Sequence, residues 1–447
     1  MRYDHITDLI GNTPLLRLDP AAHGLANVEL YAKLEFYNPF GSVKDRVAWG
    51  MIRDDIDEIT AGGKDFIEAS SGNTAKALRI LGAMRGIGLR AVTNRVKVAE
   101  VRELLELFDT EIEELPGLSE CPDPTTPNNV YAVIEAELAR NPGAYYYPSQ
   151  YTNEKNIEAH YHGTGREIHE DLARDGITRI DYLIGGLGTT GSTRGTATYL
   201  RKHHPDLRTI AVVSERSDFI PGIRSETEMW DVGLFQPEFY DRIVTIDSTQ
   251  AVEATVNLAL RHGVLAGPTS GASYAAALDV LASEEFTATD APAVAVLIVC
   301  DRIEPYLYYI KKRRPDLFGR TASRLPAPTP EELARVPELS PEDLTRTPDP
   351  IIVDTRGSMA YRIGHVPGAI NIRDDQLDDM FIQGIPFPRT RPVIFVCPIG
   401  ELSRRFAALA RRAGHDAASL AGGIVAWRDA GNPLESNRVP ADPPPSV

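Results

Sequence analysis

Short apolar runs alternate with helical stretches over the first 315 or so residues of the chain. The apolar runs include LRAVTN, YLIGG, TIAVVS and VAVLIVCD, and the helical candidates include TAKALRILGAMRG, EVRELLELF and ASYAAALDVLAS. Strands that alternate with helices in this way are typical of a parallel sheet covered by helices on both faces. The pattern therefore predicts an α/β domain over residues 1–317.

The pattern changes after Leu317. Residues 318–346 are rich in proline and short polar side chains, which predicts an extended or partly helical linker. Apolar runs return in PIIVDTR, PVIFVC and AASLAGG with helices between them, so residues 347–436 are predicted to form a second, smaller α/β domain. The last segment, 437–447, contains PADPPPSV, and we expect it to be disordered.

Length and charge narrow the class of protein. The chain has 447 residues, which is too long for one typical domain, and its formal net charge is −16. With no surplus of cations to neutralise phosphates, we expect no binding to nucleic acid or to an anionic membrane. The N-terminus MRYDHITDLIGNTPLL lacks the apolar core of a signal peptide, and no apolar run has membrane length. We therefore expect a cytoplasmic protein.

The chain contains three cysteines, Cys121, Cys300 and Cys397, and none lies in a CxxC pair. This excludes a disulfide scaffold and a cysteine zinc site, and we expect no metal. Cys121 and Cys300 are interpreted as buried or incidental. Cys397 differs, because it follows the apolar run VIFV directly and precedes a predicted helix. A thiol at such a turn is either an inert packing residue or a nucleophile.

Five motifs occur in a fixed order in the large domain. They are IGNTPLLRL (Ile10–Leu18), KLEFYNPFGSVKDRVA (Lys33–Ala48), EASSGNTAKAL (Glu68–Leu78), GGLGTTGSTRG (Gly185–Gly195) and GVLAGPTSGASYAAAL (Gly263–Leu278). Together they resemble the β-family (fold type II) of pyridoxal phosphate (PLP) enzymes, most closely the cysteine synthases and the cystathionine β-synthase core. The resemblance covers roughly residues 3 to 315. It implies two α/β subdomains with parallel-rich sheets, a PLP cofactor and a homodimer.

The resemblance implies that Lys44, in SVKDR, forms the Schiff base to PLP and later removes the substrate's Cα proton. An amine needs a depressed pKa for such roles. Asn73 would hydrogen-bond the cofactor's 3′-oxygen. A glycine-rich turn between a strand and a helix suits an anion. The resemblance accordingly places the PLP phosphate on Gly188, Thr189, Thr190, Gly191 and Ser192, with Thr190 replacing a glycine of many cysteine synthases.

Substrate contacts follow from the same resemblance. The loop that binds the α-carboxylate would contain Ser70, Ser71, Gly72 and Thr74, and Gln150 would contact the carboxylate too. The family usually has threonine in place of Ser70 and glycine in place of Ala75, so we expect altered packing with binding retained. Ser270 would face the pyridine nitrogen. A neutral hydroxyl there makes the ring a weaker electron sink, which favours β-replacement or β-elimination over transamination.

A second resemblance covers roughly residues 347 to 436. The segments PIIVDTRGSMAYRIGHVPGAINI (Pro350–Ile372), VIFVCPIGELSRR (Val393–Arg405) and SLAGGIVAWRDAGNP (Ser419–Pro433) resemble a single rhodanese (sulfurtransferase) domain. It implies that Cys397 is a catalytic sulfur carrier, whose thiolate or persulfide is stabilised by backbone amides at a helix N-terminus. Gly400 would let the loop close, and Ser403 lies at the helix start.

The rhodanese loop departs from the family's pattern at one position. Where the family often has arginine, this chain has Leu402, beside acidic Glu401. The missing cation is expected to weaken thiosulfate binding, although Arg404 and Arg405 lie one helical turn further along. A folded but inactive or docking domain therefore remains an alternative. Asp354 and Arg356 are interpreted as structural.

The two resemblances together predict β-replacement on an O-activated serine, which is O-acetyl- or O-phosphoserine. The reaction would pass through an aminoacrylate. Sulfur would be added to give cysteine or a derivative, and the rhodanese domain would supply or process sulfane sulfur. Arg224, in PGIRSE, either pairs with a substrate phosphate or is a solvated arginine. Two enzymatic alternatives stay open: a cysteine desulfhydrase or β-lyase, and replacement by an amine, as in a 2,3-diaminopropionate synthase.

A regulatory binder that uses PLP structurally is disfavoured by the intact lysine and asparagine motifs. The expected partners are a small amino-acid substrate, a sulfur donor and a second copy of the chain. A sulfur-carrier protein is a further candidate.

Overall fold

The computed structural model describes residues 2–93, 98–115, 130–216, 218–225, 229, 232–283, 291–318 and 327–436. They divide into two compact units. Met1–Glu113 and Asn129–Gly319 form the first, and the second contains the chain from Arg320 onward. Cys121 and the predicted disordered tail lie outside the described residues. No helix among those described has both the length and the hydropathy that a membrane span needs.

Two sheets organise the first unit. Its described strands are β1 (Leu15–Arg17), β2 (Val28–Leu34), β3 (Asp65–Ala69), β4 (Leu89–Thr93), β5 (Glu111–Glu114), β6 (Tyr145–Tyr146), β7 (Tyr182–Gly186), β8 (Arg208–Ser214), β9 (Arg242–Ile246) and β10 (Ala293–Val299). The larger sheet has the order β1-β2-β10-β7-β8-β9, and only the β1–β2 pair in it is antiparallel. The smaller sheet has the order β5-β4-β3-β6, with β3 parallel to both of its neighbours.

Burial explains why β10 is a continuous apolar run. All seven of its residues are buried. A central parallel strand is covered on both faces, so it cannot alternate apolar with polar positions. The carboxyl end of β10 is followed directly by Cys300 and Asp301, which places these two residues at the edge of the sheet where α/β enzymes bind their ligands.

Helices cover both sheets. They are α1 (Pro20–His23), α2 (Lys44–Ile52), α3 (Ile56–Ala61), α4 (Asn73–Ala83), α5 (Ala99–Leu107), α6 (Val130–Arg140), α7 (Lys155–His160), α8 (Arg166–Arg174), α9 (Gly191–His203), α10 (Ser248–His262), α11 (Pro268–Ser283) and α12 (Leu307–Arg313). A π-helical turn, Tyr161–Gly165, connects α7 to α8. Short 3₁₀ segments are Ile6–Leu9, Glu35–Tyr37, Pro237–Phe239, Glu304–Tyr306 and Pro315–Phe318.

Local sequence sets the ends of helix α10. The Asp247 side chain accepts from the amides of Thr249 and Gln250, and the Gln250 side chain caps the Asp247 amide in return. Gly263, at φ 68°, ends the helix in a left-handed conformation that glycine adopts without strain. The next helix, α11, begins only five residues later and packs beside α10. This short connection brings the PTSGA motif back to the end of β10.

The second unit is a small parallel α/β structure. Its strands are β11 (Glu338–Leu339), β12 (Ile351–Asp354), β13 (Ile370–Asn371), β14 (Val393–Val396) and β15 (Ala417–Leu420). Its helices are α13 (Pro330–Ala334), α14 (Pro341–Arg346), α15 (Ser358–Ile363), α16 (Asp374–Gln383), α17 (Glu401–Arg412) and α18 (Gly423–Asp429). The strand order is β11-β15-β14-β12-β13, and every pair is parallel.

The described part of the predicted linker, residues 327–346, has regular structure. Pro330 and Pro341 each occupy the first turn of a helix, with Thr329 and Ser340 as the N-caps. Proline is favoured there because its missing N–H has no helical partner in any case. Strand β11 pairs in parallel with β15. Prolines that predicted a linker therefore mark helix starts, and we propose that the small domain begins near residue 330 and not at 347.

Candidate active site

Lys44 is the first residue of α2, and its backbone is held against the end of β10. The amide of Val43 donates to the carbonyl of Cys300 at 2.7 Å, and Ser42 forms a β-bridge with Asp301. Burial lowers the pKa of Lys44, and the neighbouring Cys300 and Asp301 oppose this shift. A lowered amine pKa increases the neutral, nucleophilic fraction. The predicted cofactor lysine thus has the electrostatic surroundings that its chemistry needs.

The predicted phosphate loop connects β7 to the N-terminus of α9. A side chain at Gly188 would bring its Cβ to 2.7 Å from the Gly222 carbonyl, and one at Gly191 would collide with the Asn156 side chain. Thr190 has a left-handed backbone, φ 68°, and its hydroxyl donates to the Leu234 carbonyl at 3.1 Å. The loop therefore curls tightly at the start of a 13-residue helix, which is a favourable place for an anion.

The Thr189 hydroxyl of this loop is held in place by Asn156. The Asn156 amide donates to the Thr189 hydroxyl at 2.9 Å and to the Gln150 carbonyl at 2.8 Å. Ser192 is the second residue of α9 and is buried. The positive φ of Thr190 explains why glycine serves well at this position, since a side chain there adopts a left-handed conformation at some cost.

The predicted carboxylate loop joins β3 to α4. The Ser70 hydroxyl accepts from the Ala75 amide at 3.1 Å and so caps the start of the helix. Thr74 donates to the Gln150 side-chain oxygen at 2.7 Å, and the Gln150 amide nitrogen donates to the Ala69 carbonyl at 2.8 Å. The structure thus brings Gln150 to the loop, although 76 positions separate it from Thr74. Ser71 and Gly72 lie between the capping residue and α4, at the half-buried helix N-terminus.

Asn73 is hydrogen-bonded to residues that follow strand β10. Its amide nitrogen donates to Asp301 Oδ2 at 2.7 Å and approaches the Tyr306 hydroxyl at 3.4 Å. The Tyr306 hydroxyl donates to the same Asp301 oxygen. Burial raises the pKa of Asp301, and the bonds from Tyr306 and Asn73 oppose that rise. The motifs did not identify Asp301 or Tyr306, whose only sequence signal is their place just after the buried β10 strand.

Ser270 lies fully buried in the first turn of α11. Its hydroxyl accepts from the Cys300 amide at 2.9 Å, which leaves the hydroxyl proton available to a ligand nitrogen. Cys300, interpreted from the sequence as incidental, is therefore a neighbour of both Ser270 and Lys44. Burial raises the pKa of the Cys300 thiol to about 12, so it is protonated at neutral pH.

Arg224 connects to the phosphate loop through its backbone. Its amide donates to the Leu187 carbonyl at 2.9 Å, and its guanidinium carbon lies 4.7 Å from the centroid of the Tyr151 ring. Tyr151 follows Gln150 directly in the sequence. Arg224, for which the sequence leaves open a phosphate partner or a solvated arginine, is thus half-buried and stacked on the Tyr151 ring.

The residues at this edge of the sheet fit PLP. A loop closed by glycines at a helix N-terminus would hold its phosphate. Lys44 would meet its aldehyde, Asn73 its 3′-oxygen and the Ser270 hydroxyl its ring nitrogen. When bound, PLP supplies an electron sink for the bond cleavages at the substrate's Cα and Cβ. Asp301 Oδ1 is buried and has no hydrogen-bond partner among the described residues, so the site retains an unsatisfied polar atom.

Cys397 follows β14 and precedes α17 in the second unit. Its sulfur is fully buried, accepts from the Gly400 amide at 3.1 Å and contacts the Ser403 hydroxyl at 3.3 Å. Gly400 has φ 95°, which turns its N–H back toward the sulfur. A side chain at Gly423 would collide with the Cys397 carbonyl. The predicted turn is present, and its donors point at the thiol.

The cations near this loop are paired with carboxylates of the same unit. Arg404 pairs with Glu338, and Arg405 lies 2.7 Å from Asp378. Leu402 packs against the apolar cluster that contains Phe395 and Phe406. The two arginines that could replace the missing cation are therefore engaged elsewhere.

Asp354 and Arg356 form a buried ion pair in this unit. Arg356 lies 2.7 Å from Asp354 Oδ2 and also donates to the Gly364 carbonyl at 2.6 Å. These contacts agree with the structural interpretation of the two residues.

Comparisons with known proteins agree with both resemblances. A family described as "Pyridoxal-phosphate dependent enzyme" matches residues 6–301, and one described as "Rhodanese-like domain" matches residues 340–430. Cysteine synthase B of Pseudomonas aeruginosa is 30% identical over 314 residues, which cover 69% of this chain and 97% of that protein.

Two solved structures extend the comparison. A hydrogen sulfide-producing enzyme from Fusobacterium nucleatum is 29% identical with a TM-score of 0.59, and the match covers 69% of this chain and 99% of that one. An O-acetylserine-dependent cystathionine β-synthase from Helicobacter pylori is 27% identical with a TM-score of 0.57, over 69% and 98% of the two chains. The fold class, the cofactor and the enzyme class expected from the sequence are thereby confirmed. The chain belongs to the pyridoxal-phosphate-dependent enzymes related to cysteine synthase, and it carries a rhodanese-like domain after the catalytic one.

Proposed function

We propose that the large domain performs β-replacement on an O-activated serine and adds sulfur to the β-carbon. The observation that carries this proposal is the neutral hydroxyl of Ser270, which accepts from the amide of Cys300, a neighbour of Lys44. A hydroxyl does not protonate a pyridine nitrogen as a carboxylic acid does, so charge at the substrate's Cα is relieved by early loss of the β-substituent. Relatives named for cysteine synthesis and for O-acetylserine support the same substrate class.

The proposed roles of the side chains follow from their places. Lys44 carries the cofactor and then takes the proton from the substrate's Cα, since its lowered pKa leaves a neutral fraction of amine. The N-terminus of α4, with the Ser70–Thr74 loop, binds the α-carboxylate through backbone amides. Gln150 orients the loop through its bonds to Thr74 and to the Ala69 carbonyl. Binding of the carboxylate therefore places the Cα proton by geometry before any bond breaks.

For the small domain we propose a persulfide at Cys397. The Cys397 thiolate attacks the outer sulfur of a sulfane-sulfur donor, the donor's S–S bond breaks, and the remainder leaves as an anion. The Gly400 amide and the Ser403 hydroxyl stabilise the anionic sulfur. Two equivalents of a small thiol then convert the persulfide to the Cys397 thiol, hydrosulfide and a disulfide. The hydrosulfide is the nucleophile for the large domain.

A second candidate function runs the chemistry in the opposite direction. The similarity to a hydrogen sulfide-producing enzyme favours a cysteine desulfhydrase, in which the Cβ–S bond of cysteine breaks and the sulfur leaves as hydrosulfide. The same lysine, loop and serine would serve it, because loss of a β-substituent is common to both reactions. The two functions differ in their products, which are cysteine for the synthase and hydrosulfide with pyruvate and ammonia for the desulfhydrase.

A substrate panel separates the candidates. Full-length protein is incubated with O-acetylserine, O-phosphoserine or cysteine, each with sulfide, thiosulfate plus dithiothreitol, or an amine acceptor. The products are identified by mass spectrometry, and the cofactor is followed by its absorbance. We expect cysteine from an O-activated serine with either sulfur source. Release of sulfide from cysteine without synthesis establishes the desulfhydrase, and turnover with the amine alone establishes a 2,3-diaminopropionate-type reaction.

The role of Cys397 is tested in the same assay with Cys397→Ser. This variant should lose thiosulfate-dependent synthesis and keep sulfide-dependent synthesis, because hydrosulfide needs no carrier. The sulfide-dependent rate of the same variant is the internal control, since it reports on the large domain without the carrier step. Equal thiosulfate-dependent rates in Cys397→Ser and wild type would remove Cys397 from the mechanism.

A further inference from the structure

A second lysine lies close to the cofactor site. Lys76 is in the first turns of α4, three residues after Asn73, so the two side chains lie on the same face of the helix. Lys76 is half-buried, and burial lowers its pKa while Asp45 and Asp301 oppose the shift. Among the residues that the structure describes, none accepts a hydrogen bond from its ammonium group or lies within ion-pair distance of it.

Two buried carboxylates flank this lysine, and each belongs to a different part of the site. Asp45 follows Lys44 directly and is fully buried, where it accepts from the Phe40 amide at 2.6 Å and the Ser42 hydroxyl at 3.1 Å. Burial raises the pKa of Asp45 to about 7, and the charge of Lys76 is among the influences that oppose the rise. Asp301 is the acceptor for Asn73.

The orientation of Asn73 depends on the charge of Asp301. An ionised carboxylate only accepts hydrogen bonds, so it draws the NH₂ end of the Asn73 amide toward it. A protonated Asp301 could instead donate to the amide oxygen, which would turn the amide by half a revolution. In the first orientation, the second N–H of Asn73 has only the long 3.4 Å contact with the Tyr306 hydroxyl, so it can donate to a cofactor oxygen instead. The charge on Asp301 therefore decides whether Asn73 presents a donor.

We propose that Lys76 is a positioning residue for the cofactor: its positive charge stabilises the Asp301 carboxylate, which accepts from Asn73 and so orients the Asn73 amide. Asp301 Oδ1 is buried and has no hydrogen-bond partner among the described residues, so the charge of this carboxylate depends on its neighbours. Lys76 acts through Asp301 and does not touch the reacting atoms. This inference rests on the proposed roles of Lys44 and Asn73.

The test is a double-mutant cycle on cofactor affinity. Full-length protein freed of cofactor is titrated with PLP, and the dissociation constant is read from absorbance. We expect Lys76→Met to weaken binding at least about fivefold and Lys76→Arg to restore most of the loss. In an Asp301→Asn background, Lys76→Met should change the constant by less than about twofold, because no charge is left for it to stabilise.

Controls separate positioning from folding. Lys311→Met removes an exposed lysine of α12 and should leave the affinity unchanged. The melting temperature of the cofactor-free protein should be the same for Lys76→Met and wild type. Should Lys76→Met not fold, Lys76→Gln replaces it in the cycle.

Contrary outcomes have distinct meanings. A Lys76→Met constant within about twofold of wild type overturns the inference, and so does an equal loss in the Asp301→Asn background. If Asn73→Ala also leaves affinity unchanged, the proposed cofactor site itself is wrong. If Asn73→Ala weakens binding but Lys76→Met does not, only the role of Lys76 fails.

Discussion

The hydroxyl of Ser270 accepts a hydrogen bond of 2.9 Å from the backbone amide of Cys300. This contact joins the first turn of α11 to the residue that follows β10, and Cys300 is in turn a neighbour of Lys44. One serine thus holds the sheet edge in place and offers a neutral hydroxyl to the site.

Replacing Ser270 by alanine should destabilise the large domain. The buried Cys300 amide would lose its acceptor, which costs about 1–3 kcal/mol. The measurement is urea unfolding of the full-length protein, followed through the absorbance of the bound cofactor. Ser273→Ala is the matched control, because that buried hydroxyl on the same helix donates only to the Thr269 carbonyl, one turn earlier. Equal unfolding midpoints for Ser270→Ala and Ser273→Ala would contradict the structural role of the Ser270 contact.

Glu68 gives the large domain a stability that depends on pH. Burial raises the pKa of Glu68 from 4.5 to about 8, although backbone amides that include those of Gln150 and Ala69 donate to it. Between these values the folded state binds more protons than the unfolded state, so stability falls as the pH rises from 4.5 to about 8. Glu68→Gln cannot ionise in either state, and its melting temperature should decline less over this interval.

The comparison is made by thermal unfolding at pH 5, 6, 7 and 8. The exposed Glu238→Gln is the control and should follow the wild-type decline. A decline in Glu68→Gln as steep as that of the wild type would show that Glu68 is not the source of the pH dependence.

Arg224 should select the leaving group if it meets a phosphate. Removing a charge-assisted hydrogen bond costs about 1.5–3 kcal/mol, which corresponds to roughly tenfold or more in kcat/KM. Arg224→Ala should therefore lower kcat/KM for O-phosphoserine by about that factor and leave O-acetylserine within about twofold. Arg208→Ala, which removes an arginine stacked on Tyr182, is the control. An unchanged preference between the two serine esters would show that Arg224 does not contact the leaving group.

An arginine at position 402 should improve the use of thiosulfate. Leu402 is only partly buried, so a longer side chain can lie along the apolar cluster and place its charge near the loop. Leu402→Arg should lower the KM for thiosulfate about tenfold, since this is the gain expected from one charge-assisted contact. The uncharged Leu402→Gln tests whether shape alone has an effect. If both variants have the same KM, the missing cation is not what limits thiosulfate binding.

A site residue can be predicted from the sequence when the residues that it contacts lie close to it along the chain. Lys44, the phosphate loop and the turn at Cys397 are identifiable because each lies in a continuous motif. Asp301 could not be found in this way, since it meets Asn73 across 228 positions, and Lys76 gains meaning only once both flanking carboxylates are seen in space.

In the small domain, composition alone did not define the regular structure before residue 347. Proline-rich composition predicted an extended or partly helical linker over 318–346, and helices do begin at Pro330 and Pro341. Glu338–Leu339 also joins the sheet, through backbone hydrogen bonds that composition does not encode. The homodimer, the cytoplasmic location and a sulfur-carrier partner stay predictions.

The central claim is that Lys44 carries the cofactor, and reduction with borohydride tests it most directly. Full-length protein loaded with PLP is reduced, digested and analysed by mass spectrometry. The account predicts that the pyridoxyl group is found on the peptide that contains Lys44 and is lost in Lys44→Ala. A label on Lys76 or on any other lysine, or a protein that takes up no cofactor at all, would contradict it.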